Sequence, residues 1–129
     1  METLLNNTAS VLGNYNSIPT EISTQVLVVT ILTGLTVTKS ADKLVWSDGD
    51  LTYKIEVDNQ TEKPYTSPVI TDTLDPSLIT LKPNSIKIDN TLIESTEYSY
   101  DSNTGLLTIN LPDIASKTKK VITFEVVKK

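Results

Sequence analysis

The residue types that most often carry chemistry are thinly represented. The chain of 129 residues holds no histidine and no cysteine, and all 11 of its basic residues are lysine. That excludes Ser-His and Cys-His nucleophilic arrangements, thiolate metal sites and disulfides. What remains is oxygen chemistry. Asp48-Gly49-Asp50, with Asp42 nearby, offers carboxylates to a calcium ion. Calcium, however, takes about 6–8 oxygen ligands, and Asp-Gly is ordinary turn chemistry; the turn is the preferred reading. Trp46 is the single tryptophan and is expected to plug a core edge rather than anchor a ligand. Tyr98 and Tyr100 sit two apart, which suits cross-strand packing better than a sugar-stacking platform. Lys117, Lys119 and Lys120 read as a solvated basic turn. Carboxylates are plentiful, but none sits in a recognisable cleft motif. No catalytic residue, cofactor or metal site is assigned, and the chain is not expected to be an enzyme.

The elements that would position any site are polar and β-compatible, with 20 Thr and 12 Ser. Charge divides the chain. Residues 1–38 carry only Glu2 and Glu21 and no lysine, whereas residues 39–129 carry the other 14 acids and all 11 lysines. The formal net charge of −5 and the absence of arginine argue against a nucleic-acid partner. METLLNNTAS has neither the basic start nor the apolar stretch of a secretory signal. The most apolar window, Val26–Leu32, falls far short of the ~20 residues of a membrane helix, so no membrane insertion is expected. Residues 1–20 are rich in Asn, Thr and Ser and predict a flexible N-terminal arm, mobile unless a partner holds it.

From Lys39 onward the apolar period is two. Leu51, Tyr53, Ile55 and Val57 alternate with Thr52, Lys54, Glu56 and Asp58, a strand with one buried face. Asp89-Asn90 marks a turn, and Asp101-Ser102-Asn103-Thr104-Gly105 a hairpin loop. Leu107, Ile109 and Leu111 form its return strand; Ile122, Phe124 and Val126 share one face of the last strand. Strand-length runs with turn signals every 8–12 residues or so predict an all-β fold, an Ig-like antiparallel β-sandwich of about 7–8 strands over residues 35–129.

Several blocks occur in one order: Leu35-Thr36-Val37-Thr38-Lys39-Ser40-Ala41-Asp42, Asp48-Gly49-Asp50-Leu51-Thr52-Tyr53 and Val57-Asp58-Asn59, then Val69 to Pro76 (VITDTLDP), Leu107 to Pro112 (LTINLP) and Val121 to Val126 (VITFEV). Together they resemble the domain-of-unknown-function family numbered eleven, whose members are Ig-like repeats of prokaryotic surface proteins. The resemblance spans about residues 35–127. It implies a cell-surface or spore-surface location outside the cell, and single-domain relatives of this kind look like fibre subunits, including appendages of bacterial spores. Family members usually stand in tandem behind a signal peptide; here one repeat follows a long arm. Related surface folds sometimes crosslink a lysine on the first strand to an asparagine. Lys39 stands on that strand, yet VITFEVVKK contains no asparagine, leaving only Asn59 or Asn110; an exposed or snorkelling lysine is preferred.

The informative stretch is residues 21–38. Leu27, Val29, Ile31, Leu35 and Val37 share one parity, interrupted by Thr33; Ile22, Val26, Val28 and Leu32 share the other, before Gly34, Thr36 and Thr38. Both faces are apolar up to Leu32, and one turns polar after Gly34, so a single ribbon changes environment at a hinge, Thr33-Gly34. The segment Val26–Leu32 is surplus to a domain whose strands begin at 35, and an uncovered run of this kind is an aggregation hazard. Residues 21–34 are therefore expected to act as a donor strand and connector, with Val26, Leu27, Val28, Val29, Ile31 and Leu32 entering the sandwich of a second copy. The partner would be the chain itself, as an open head-to-tail homopolymer. The acceptor groove is expected beside Val121–Val127, flanked by Ile122, Phe124 and Val126, with Leu35 and Val37 facing their own core. Two alternatives stay open: the segment folds back on its own domain, leaving a monomeric adhesion module, or the chain is one repeat of a longer surface protein.

Overall fold

The computed structural model describes residues 2–7, 10–23, 27–32 and 34–129. Two donor-and-hinge positions, Val26 and Thr33, lie outside the described residues, and of Leu27, Val28, Val29, Ile31 and Leu32 only the backbone is described. Every named element is a β-strand, and all pairings are antiparallel. The chain divides into two compact units, Met1–Thr33 and Gly34–Lys129.

The first unit is a ribbon. Strands β1 (Glu2–Asn7) and β4 (Leu27–Leu32) pair from Glu2↔Leu32 to Asn7↔Leu27. Strands β2 (Ser10–Tyr15) and β3 (Ile18–Ser23) pair from Ser10↔Ser23 to Tyr15↔Ile18. Asn16 and Ser17 both have positive φ, 52° and 64°, the pattern of a type I′ hairpin turn, whose twist matches that of the strands it joins. The composition of residues 1–20 predicts an arm that is mobile unless a partner holds it; the described residues there are paired as strands. Asparagine tolerates the left-handed region without glycine's help, and that is the signal a reading for apolar periodicity passes over.

The second unit is built like a β-sandwich. One sheet runs β10 (Thr91–Leu92), β9 (Lys87–Ile88), β13 (Thr118–Lys128), β6 (Leu51–Asn59), β5 (Leu35–Ala41), with β8 (Ile79–Leu81) also paired to β13. The other runs β11 (Tyr98–Tyr100), β12 (Leu106–Asn110), β7 (Val69–Thr73). Their inner faces share one core. Leu51, Ile55 and Val57 from β6, Ile122, Phe124 and Val126 from β13, and Leu107 and Ile109 from β12 are all buried. The period-two reading of these three strands matches their burial. Phe124 stacks against Tyr53 with ring centroids 5.5 Å apart, its cross-strand partner in the β6–β13 ladder.

Candidate functional site: an open seam

A sandwich is closed along its sides only where the edge strands of its two sheets meet. The side formed by β10 and β11 has edges of two and three residues, and short edges offer little to a foreign strand. It is also strapped. Ile93 N–H donates to the Ile86 carbonyl (3.1 Å) and Asn110 N–H to the Glu97 carbonyl (2.9 Å), so the segment between 93 and 97 is tied to both sheets.

The opposite side, between β5 and β7, is different. Among the described residues, strand β5 has seven residues and pairs only with β6; β7 has five and pairs only with β12. Between them runs a groove of about 400 Å³ whose lining includes Val37, Ile55, Val57, Val69, Ile70 and Leu111. Ile55, Val57 and Leu111 belong to the buried core, so the groove floor is the core itself. The parity of Leu35 and Val37 predicts that both face it. Leu35 is half-buried, but Val37 is 67% exposed, and Val69 on the facing edge is 54% exposed. No strand of the opposite sheet covers Val37 among the described residues; its register partner is Val57, and the pair stands over the open groove.

One polar contact spans the seam. The Lys39 ammonium lies 2.7 Å from Asp72 Oδ2 and 4.5 Å from the centroid of the Tyr53 ring. Lys39 pairs with buried Ile55 and Asp72 with buried Leu107, and directly opposed residues share a face. Both charges therefore point inward. Asp72 Oδ2 is sealed from solvent and accepts no well-angled hydrogen bond, so the lysine charge is what balances it. Inward-pointing charges on edge strands disfavour indiscriminate edge pairing. The sequence leaves Asn59 and Asn110 as the asparagines a crosslink to Lys39 could use, and prefers an exposed or snorkelling lysine. Asn59 is instead fully buried, donating to the carbonyls of Lys63 and Ile114 and accepting from Thr61, and Asn110 is exposed on β12.

The acceptor residues named from sequence lie elsewhere. Ile122, Phe124 and Val126 are at 0% exposure in the middle of the core. Strand β13 has no free edge to place beside a guest. Strand β6 lines one side from Thr118 to Val126. On the other side Asp89 exchanges bonds with Val121, Ser85 Oγ accepts from Glu125 N–H, and β9 and β8 pair with residues 122–123 and 126–128. The long open edges among the described residues are those of β5 and β7. Strand β13 is central because β6, β8 and β9 converge on it.

The remaining candidates are structural. Asp42 Oδ1 accepts from Thr52 N–H (2.9 Å), Asp50 pairs with Lys82, and the Asp48 and Asp50 carbonyls take the Lys43 ammonium. Lysines thus engage Asp50 and the Asp48 carbonyl, a backbone N–H engages Asp42 Oδ1, and the Ser47 hydroxyl engages Asp48 Oδ1. Trp46 packs against the core, donates to the Gly49 carbonyl (2.9 Å) and carries Lys128 over its ring at 5.1 Å. Tyr98 and Tyr100 are half-buried against the core. Lys117, Lys119 and Lys120 pair with Glu62, Glu56 and Asp89. No protein-family model, curated protein or solved structure matches the chain, so the seam and the ribbon stand on their own geometry.

Proposed function

We propose that the protein is a structural subunit that assembles head to tail, the N-terminal strand of one copy completing the Ig-like sandwich of the next. The carrying observation is the ribbon. Residues 2–32 form a compact unit whose described elements are two paired limbs of strand, and an isolated two-stranded hairpin is at best marginally stable in water. Among the described residues strand β4 pairs on one edge, with β1, and on this reading gives the other. Its sequence, LVVTIL, has no charge to desolvate. The resemblance of residues 35–127 to Ig-like surface repeats points the same way, toward a pilus-like appendage on a bacterial cell or spore. The chain has no cysteine, so no disulfide closes the joints.

The test is a single charge. Val29 pairs with Leu5 in the middle of the β1–β4 ladder. Val29→Asp would carry a carboxylate into the joint, where an unpaired buried charge is strongly unfavourable. Gel filtration and electron microscopy should show monomers in place of filaments, with the circular dichroism of the sandwich unchanged; Thr91→Asp, exposed on β10 at the other side of the sandwich, should still polymerise. Filaments of normal length from Val29→Asp would refute the reading.

A further inference from the structure

We infer that the acceptor is the seam between β5 and β7, and that its guest is β4 of a second copy, hydrogen-bonded along the free edge of β5. The inference rests on the assembly reading above and goes on to assign the site. Four observations converge on it. The edges of β5 and β7 are the two long unpaired edges of the sandwich unit among its described residues, against two and three residues at the other side. The groove floor is core, and Val37, a core-parity residue, is 67% exposed above it; a valine left in that state is a contact without its other half. The lengths agree, since β4 has six residues, β5 seven and β7 five. The charges agree too: Lys39 and Asp72 satisfy each other, and an uncharged guest meets no unpaired ion.

The ion pair also limits the joint. It closes the seam at the level of Lys39, so the apolar stretch open to a guest lies from Leu35 to Lys39 on β5 and around Val69 and Ile70 on β7. The guest's alternate residues Leu27, Val29 and Ile31 would cover Val37 and Ile70. The occupant argued for is a second copy: among the described residues β4 pairs with β1 and β5 with β6, and the two do not pair with each other.

The absence of cysteine makes the test clean. Directly opposed residues on neighbouring strands have Cα atoms roughly 4.5–5.5 Å apart, within the span of a disulfide. Full-length double variants would combine Val37→Cys with Leu27→Cys, Val29→Cys or Ile31→Cys, and a parallel set would place the acceptor thiol at Leu92→Cys on β10. After mild oxidation, denaturing non-reducing electrophoresis should show a ladder of subunit multiples from at least one Val37 pair and none from the Leu92 set. A ladder confined to the Leu92 set would overturn the seam while leaving head-to-tail assembly intact. A crosslinked monomer from the Val37 set would overturn the second-copy occupant in favour of the chain's own strand. Gel filtration of the unsubstituted protein is the separate check on assembly: a monomer at every concentration would remove the reading on which the site rests.

Discussion

At the scale of single residues, the sandwich is held by polar side chains that read as surface in the sequence. Asn59 shows this best. It sits at 0% exposure at the end of β6 and ties the loop after β6 to the chain around Ile114 through bonds of 2.9 Å to the Lys63 and Ile114 carbonyls. Its own Oδ1 accepts from the N–H and hydroxyl of Thr61. Removing the side chain strands a buried carbonyl, and each unsatisfied buried group costs about 1–3 kcal/mol. Asn59→Ala should therefore lower stability by roughly 2–4 kcal/mol in urea unfolding; a loss below that range would show that water replaces the amide. Sequence alone offers Asn59 as a polar residue at a strand end, because burial of an amide depends on carbonyls supplied by distant segments. Gly105 is the partly legible case. Its place at the end of a hairpin loop follows from Asp101 to Gly105, and its φ of +77° agrees. Its second duty does not: the Gly105 carbonyl accepts from Leu74 N–H at 2.8 Å, and any Cβ there would collide with the Leu74 carbonyl.

At the scale of elements, turn carboxylates fasten the strands and set the response to acid. Asp89, in the β9–β10 turn, is held below the usual carboxylate range first by Val121 N–H and then by Lys120. Ser77 does the same for Asp75, through its hydroxyl and N–H, and the N–H of Asn103 for Asp101. A depressed folded-state pKa means that the ionised form favours folding. Its contribution is complete above the ordinary aspartate value of about 3.9 and is lost as pH falls through the lowered one. The urea midpoint should be level down to about pH 5 and fall below about pH 4. Asp89→Asn should shallow that fall; an unchanged acid limb would exclude Asp89 as a contributor. The strands β6, β12 and β13 are legible because both their faces are decided within this domain. Strand β5 is not, since one of its faces is left for something else, and Val37 obeys the alternation while failing to be buried.

At the scale of the whole molecule, the chain divides into two compact units between Thr33 and Gly34, where the sequence changes from apolar on both faces to apolar on one. That change of environment is visible from parity. The location of the acceptor is not, because which strand ends at an edge depends on pairing order. Strand β13 becomes central through three partners far apart in sequence. The same feature orders events in time. Ribbon pairing is local, beginning at Tyr15↔Ile18, whereas the sandwich waits for β6 to find β13 across the intervening strands, joining Leu51 to Val126. Local pairings form faster than distant ones. Strand β13 is also synthesised after every other strand of its sheet, and without it β5 and β6 lose their link to β8 and β9. On the proposed assembly, a growing chain carries its donor strand long before its acceptor seam is complete. A chain ending before Thr118 should remain in that condition, able to enter a neighbour but unable to receive one, and would cap filaments. Added at a few per cent to intact protein, it should shorten filaments in electron micrographs in proportion to its dose; undiminished lengths would show that donor and acceptor do not mature separately.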